Sequence, residues 1–394
     1  MPLITDTETL TRFCADLRQT DYVTVDTEFI RETTFWPVLC LVQVGGPDDA
    51  RAVDALAPGI DLQPLFDLLA DETVLKVFHA ARQDLEIFHH MMGQLPAPLF
   101  DSQVAAMVCG FGDQVGYETL IRKLTKIELD KGSRFTDWAA RPLSDRQIKY
   151  AMADVTHLRP AYEKLARKLE RTGRTPWVAE EMAILENPAT YDPDPRDAYK
   201  RIKSRGAKGQ TLAVLRELAD WREGEARRVD VPRNRILRDE ALVEIAHHTP
   251  KNAEALGRTR GLGKRMAEGR GGEAILAAVK RGLDLDRDDW PKSADRPKLP
   301  HGIGPMADLI KVLLKLRAED AEVASRLIAS ADDVERIAGL GEDADVRALT
   351  GWRRQVFGDD ALRLKRGEIA LAVRGKRLVV VDAPPAEPRQ DVAE

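Results

Sequence analysis

Cysteine is scarce in this chain of 394 residues: there are only three, Cys14, Cys40 and Cys109. They are odd in number, sit in apolar surroundings and lack CxxC spacing, which argues against a disulfide framework or a zinc knuckle. Buried thiols in a reducing cytoplasm are expected instead. No uninterrupted apolar run approaches the ~18 residues of a membrane span. The N-terminal MPLITDTETLTRFCADL carries acidic residues where a secretory signal needs a basic and then an apolar stretch. Neither membrane insertion nor export is therefore expected. No GxxxxGK[ST] occurs, so no nucleotide cofactor is expected. The pairs His89-His90 and His247-His248 lack acidic or cysteine partners at ligand spacing, which argues against zinc.

Charge of one sign is also modest, at a net −5, and taken alone it speaks weakly against a nucleic-acid partner. The average conceals an asymmetry. Residues 1–165 hold 25 Asp+Glu against 16 Lys+Arg, a net of −9, which leaves the remainder at +4. An acidic part joined to a basic part suits a metal-dependent enzyme that holds polyanions from the side.

The length is roughly 2.6 times a typical domain of about 150 residues, so two or three domains are expected. From Tyr22 to Ala55 the pattern is strand-like: YVTVDTEF, VLCLVQVG and RAVDA, punctuated by Pro37 and Gly45-Gly46-Pro47. LQPLFDLLA has helical spacing, VLKVFH reads as a buried strand, and ARQDLEIFHHMM follows as a helix. Helices are predicted over 117–127 and from Ser144, a good N-cap, to about 170, with a kink or break at Pro160. Pro188, Pro193 and Pro195 mark a linker, and 209–283 run as helical segments without a long strand pattern. Pro291, Pro297, Pro300 and Pro305 mark a second linker before another helical unit. EIALAVRGKRLVVV reads as a hairpin and the end as a disordered tail.

Asp26 and Glu28 lie one residue apart in a predicted strand, so the period of two sends both side chains to one face. Like charges so placed are costly unless a cation sits between them, and hard Mg2+ or Mn2+ suits carboxylate oxygens. The pair would otherwise be merely solvated, but its apolar flanks Val23, Val25, Phe29 and Ile30 favour a buried strand. Asp84 falls in the first turn of the helix after VFHA, where it also complements the helix dipole. Tyr150 and Asp154, spaced i, i+4, share a helix face. A phenol beside a metal-bound carboxylate can orient water; equally, Tyr150 could be a core residue and Asp154 a surface charge.

Taken together, VDTEF, FHAARQDL and YAMAD resemble the three motifs of the DEDD exonuclease superfamily, in its tyrosine-bearing branch. FDSQVAAMV and the run from Gly116 to Leu158 resemble the ribonuclease D family, while 208–285 is similar to its HRDC domain and 305–375 to a second, more divergent copy. The resemblance implies an α/β plus all-α protein: an RNase H-like mixed sheet over 1–190, helical HRDC-type domains over 205–288 and 300–382, and a tail over 383–394. It implies that Asp26, Glu28, Asp84 and Asp154 hold two divalent metal ions, Mg2+ or Mn2+, with Tyr150 positioning the attacking water. The implied activity is 3′–5′ trimming of RNA, tRNA precursors with 3′ extensions above all; a cytoplasmic location is expected from the cysteines, and a monomer is one arrangement that the sequence leaves open.

Binding residues are expected among the basic clusters. Arg122 to Lys149 holds eight Lys+Arg against four acids, including Lys131 and Arg134; Lys203 and Arg205 lie in an acid-free run; Lys264 and Arg265 flank Gly261-Leu262-Gly263. Such charge reads phosphate rather than sequence. Phe29, inside the first motif, is a candidate to pack on the terminal base. His79 and His157 are expected to be structural. Two other readings compete: a DNA-directed 3′–5′ exonuclease, and an inactive RNA-binding scaffold.

Overall fold

The computed structural model describes residues 3–129, 136–204, 206–291 and 298–383. Lys131, Arg134, Arg205 and the tail from 384 lie outside the described residues.

Six strands form one mixed sheet: β1 (Leu3–Ile4), β2 (Tyr22–Ile30), β3 (Val38–Gly45), β4 (Ala50–Asp54), β5 (Leu75–Phe78) and β6 (Leu99–Asp101). Their order is β1-β4-β3-β2-β5-β6, with β2-β3-β4 antiparallel and β5 and β6 added parallel beside β2. The long antiparallel strands are the β-branched runs of the sequence; β3 is buried beyond its first residue, and β2 is buried at Val23, Thr24, Val25 and Thr27. Eight helices cover the sheet: α1 (Thr7–Leu17), α2 (Gln63–Leu69), α3 (Arg82–Met92), α4 (Ser102–Val108), α5 (Tyr117–Thr125), α6 (Asp145–Thr156), α7 (Leu158–Arg171) and α8 (Thr175–Leu185). Ser144 opens α6 with a full capping box, its hydroxyl taking the Gln147 N–H while Gln147 reaches back to its backbone. The helix expected to continue to about 170 breaks at His157 rather than at Pro160. The proline instead occupies the first turn of α7, where a missing N–H costs no intrahelical bond.

Among the described residues beyond α8 the regular structure is helical apart from the predicted hairpin, β7 (Ile369–Arg374) and β8 (Arg377–Asp382). One unit contains α9 (Gly209–Val229), α10 (Arg233–Ile236), α11 (Asp239–His248), α12 (Ala253–Leu256), α13 (Lys264–Ala267) and α14 (Arg270–Asp284). The next contains α15 (Gly304–Asp320), α16 (Ser325–Ile328), α17 (Ala331–Leu340), α18 (Gly351–Arg353) and α19 (Asp359–Arg366). Each unit has its own apolar core. The proline-rich stretch after α8 is not a free linker: Ala198 and Ile202 are buried in the core of the first unit.

The two units dock on the sheet domain by different means. At the end of α9, Asp230 adopts a left-handed conformation (φ 49°) and its Oδ1 accepts the N–H groups of Phe35 and Trp36, at 3.0 and 3.1 Å. In the second unit Trp352 stacks on Trp177 of α8 with centroids 4.6 Å apart. Beside them Arg353, 1% exposed, donates to the Leu327 carbonyl, to Glu180 at 2.8 Å and to buried Glu181. Removing one member of a buried ion pair leaves the other charge unsolvated. Arg353→Ala should therefore cost about 3 kcal/mol, read as a lower urea midpoint; Arg347, already 3.0 Å from Glu181, limits the loss. An unshifted midpoint would show that the contact does not hold the unit in place.

Candidate active site

The site lies at the end of β2, beneath α6. Asp26 and Glu28 point to the same face, as the strand period requires, and Thr24 on that face donates its hydroxyl to the Val155 carbonyl of α6 at 2.9 Å. Gly45, paired with Thr24 across β3, permits this approach: a Cβ there would stand 2.5 Å from the Thr24 hydroxyl and 3.3 Å from Val155. The helix is thus seated so that Asp154 reaches down to the strand pair. Carboxylate oxygens of Asp26, Glu28 and Asp154 lie within 4.8 Å of one another, a group that could hold a metal ion. At this point β2 carries a register shift between Glu28 and Phe29, the kind of irregularity that re-aims side chains beside a site.

Asp84 is buried in the first turn of α3 and stands outside that trio; its Oδ1 accepts the hydroxyl of Thr27. Its charge still reaches Asp26 and Glu28. Burial raises all four carboxyls. Asp26 is pushed well above the usual range by burial and then by Asp154, Asp84 and Glu28. Glu28 is raised to about 8 by burial and by Asp154 and Asp84. Asp154 is raised to about 7 by burial, and Asp84 to about 7 by burial against the opposing Thr27 bond. Converging hard anions that cannot readily all ionise are a donor set suited to a divalent cation.

A cleft of about 1460 Å³ opens over the trio and is lined by Phe29, Tyr150, His79 and His157 among others. Tyr150 lies one turn before Asp154 and near Trp138, with ring centroids 6.2 Å apart. His79 Nδ1 is 2.9 Å from the Ser102 hydroxyl, and burial lowers its pKa, which keeps the imidazole neutral. Lys203, Lys264 and Arg265 are exposed and line no part of this cleft; Lys264 is 3.7 Å from Glu268. The structure does not bring them to the carboxylates.

Two residues that position the site carry no catalytic signature in the sequence. Tyr117, at the start of α5, donates its hydroxyl to the carbonyls of Ala153 and Asp154, at 3.0 and 2.6 Å, and burial raises its pKa so that it stays neutral. Asp101 caps α4 and also accepts the N–H groups of Ala80 and Ala81, at 3.1 and 2.8 Å. It thereby fixes the turn that precedes Asp84, in which Ala80 has φ 59°. Asp101 stands in the FDSQ segment, so proximity to a motif was its only signal.

The fold and the site define a 3′–5′ exonuclease joined to a helical HRDC region. Residues 1–170 match the 3′–5′ exonuclease domain family and residues 211–279 match the HRDC domain. The chain is 51% identical over 382 residues to the ribonuclease D of Granulibacter bethesdensis, covering 96% of each. To that of Acidiphilium cryptum it is 52% identical over 386 residues, covering 97% of each. The crystal structure of Escherichia coli RNase D, an exoribonuclease involved in structured RNA processing, aligns with a TM-score of 0.79 at 29% identity, covering 92% of this chain and 98% of that one. The chain belongs to the ribonuclease D family, and its activity is that of a hydrolytic 3′–5′ exoribonuclease.

The raised carboxyl pKa values carry a definite sign. Without a cation the native state binds more protons than the unfolded chain from about pH 4 to about pH 8, so stability falls as pH rises through that window. Divalent ions bind the deprotonated form, so Mn2+ should raise the melting temperature more at about pH 8.5 than at about pH 5. Asp26→Asn should stabilise the ion-free protein by about 1 kcal/mol while abolishing most of the Mn2+ effect. Calorimetry with Mn2+ or EDTA measures both; an Mn2+ increment independent of pH, or intact in the variant, would contradict the assignment.

Proposed function

We propose that this exoribonuclease trims the 3′ ends of tRNA precursors and other structured RNAs in the cytoplasm, releasing nucleoside 5′-monophosphates. The observation that carries this reading is the convergence of the Asp26, Glu28 and Asp154 oxygens at the base of a cleft large enough for a nucleotide strand. The three cysteines are free and buried, which supports a reducing compartment. Among the described residues no helix is long and apolar enough to cross a membrane.

In this reading Asp26, Glu28, Asp84 and Asp154 would hold two divalent ions, Mg2+ or Mn2+. Such ions supply Lewis-acid neutralisation of the charge that builds at phosphorus during an in-line displacement. The protein's own groups do the rest. Tyr150 orients the water whose oxygen joins phosphorus as the bond to the 3′ oxygen breaks, a water proton passing through solvent to that oxygen so that a 5′-monophosphate and a 3′-hydroxyl result. Tyr117, through its bonds to the Ala153 and Asp154 carbonyls, holds the end of α6 against the strand. Phe29 lines the cleft and is the proposed apolar wall for the terminal base. For the domain limits we propose 1–190, 205–288 and 300–382, with residues 198–204 added to the first helical unit because Ala198 and Ile202 lie in its core.

The test compares a 3′-extended tRNA with a matched single-stranded DNA, in Mg2+ or EDTA, for wild type and Asp26→Asn. Expected are stepwise shortening of the RNA, 5′-monophosphate products, loss in EDTA and a roughly thousandfold lower rate in the variant, the size of several kcal/mol of lost charge stabilisation. Faster shortening of DNA, or activity undiminished by EDTA, would overturn it.

A further inference from the structure

The catalytic cleft is poorly suited to attract its own substrate. Seven carboxylates line it, against Arg146 and Lys149 as basic side chains among the described residues. Among the described residues a polyanion meets net attraction there only where ions are bound, so a basic site beyond the cleft would add to the affinity for the strand.

A second concavity lies directly behind the wall of the first. The strip from Ile30 to Phe35 separates them: Ile30 and Glu32 line the catalytic cleft, whereas Arg31, Thr34 and Phe35 line a smaller one of about 330 Å³ between the sheet domain and the first helical unit. Four guanidinium groups face the smaller cleft, those of Arg31, Arg201, Arg222 and Arg233, against the carboxylates of Glu223 and Asp239. Glu223 and Asp239 engage two of the four, and Arg31 is paired at 3.3 Å with Glu86 outside the cleft. Arg233 clasps Glu223 with both contacts at 2.5 Å, and Arg222 donates to Asp239 at 2.6 Å. Arg222 is 4% exposed and its Nε has no partner, a donor already taken out of water and left unsatisfied. Arg201 is exposed and has no hydrogen-bond or ion-pair partner among the described residues. Phe35 is 7% exposed and lies under Arg233, 4.3 Å from its ring centroid, so it offers no free face to a base.

We propose that this interdomain cleft binds the phosphodiester backbone of the RNA strand a few nucleotides upstream of the 3′ end that occupies the carboxylate site. The proposal rests on the exoribonuclease reading above. From Glu28 to Arg31 is at most about 10 Å of extended chain, so a strand held at the carboxylates need only cross this strip to meet the arginines. Guanidinium forks match phosphate oxygens bidentately, and with no free aromatic face the cleft reads backbone rather than base. It therefore adds affinity without sequence preference, and only for substrates long enough to reach it.

Length dependence is the test. Arg201→Glu and Arg201→Lys would be compared with wild type for anisotropy-monitored binding of a dinucleotide and of an oligoribonucleotide of about ten residues, with Ca2+ in place of Mg2+ so that the 3′ end is held without being cleaved, after matching their melting curves. For the longer RNA, Arg201→Glu should weaken Kd about five- to tenfold and flatten the salt dependence of log K by about 0.7, one phosphate contact on a single strand. The dinucleotide should change less than about twofold, and Arg201→Lys should keep most of the affinity. Equal weakening at both lengths would reduce the effect to general charge and overturn the proposal. Unchanged binding of the longer RNA would leave the cleft as an ion-pair network between domains and overturn it also. A wild type that does not shorten RNA in Mg2+ would remove the reading beneath it, a failure distinguishable from the other two.

Discussion

Mutual repulsion among the carboxylates at the end of β2 is the constraint on which the surrounding structure depends. Asp26 and Glu28 share a strand face by the geometry of the strand, and Asp154 is brought onto them from above, all within a partly buried space that raises every one of their pKa values. Left to themselves these groups would push α6 off the sheet. What keeps it seated is an uncharged set of contacts placed around the site: the Thr24 hydroxyl on the Val155 carbonyl, the missing Cβ of Gly45, and the Tyr117 phenol on the last carbonyls of α6. Each is a neutral donor or a steric allowance. None neutralises the acids, and the trio is a group that could hold a divalent cation to do so.

The same constraint explains the division of charge along the chain. A domain built to concentrate acids at one cleft cannot also be the main attractor of a polyanion, and residues 1–165 are net acidic while the remainder is net basic. The helical units are accordingly fastened to the acidic domain rather than strung beside it. One is held through main-chain N–H groups of Phe35 and Trp36, in the loop that leads out of the catalytic strand. The other is held far from that loop, by the buried Arg353 and the Trp177–Trp352 stack on α8.

Sequence period and spacing made the strand pair and the i, i+4 pair legible, because a two-residue or four-residue repeat fixes which side chains share a face whatever the tertiary context. The capping box at Ser144 was legible for the same reason: its bonds are local. What could not be read were contacts between elements distant in sequence. Tyr117 meets Asp154 across 37 residues, Asp101 holds the turn at Ala80 across 21, and Arg353 reaches Glu180 across 173; an isolated Tyr, Asp or Arg carries no mark of such a partner. Basic clusters mark charge but not the cleft that it faces. Lys264 and Arg265 stand out as a run beside glycines and line no part of the carboxylate cleft, whereas Arg201, from the acid-free run that also holds Lys203, faces a second cleft together with Arg222, twenty-one residues further on.

The path of the chain between Asp26 and Asp230 ties these observations together. The strand that presents Asp26 and Glu28 runs without interruption into the strip that walls both clefts, and that strip ends at the two N–H groups accepted by Asp230 of the first helical unit. Asp230 holds a left-handed backbone conformation that costs about 1 kcal/mol or more for a residue with a Cβ. A glycine there would relieve the backbone but remove the carboxylate that receives both donors. The conformation is therefore retained for the carboxylate, and the carboxylate for the loop. Displacing the helical unit would release the far end of the strip whose near end carries two of the three converging acids, so the unit contributes to the geometry of the site without supplying a residue to the carboxylate trio.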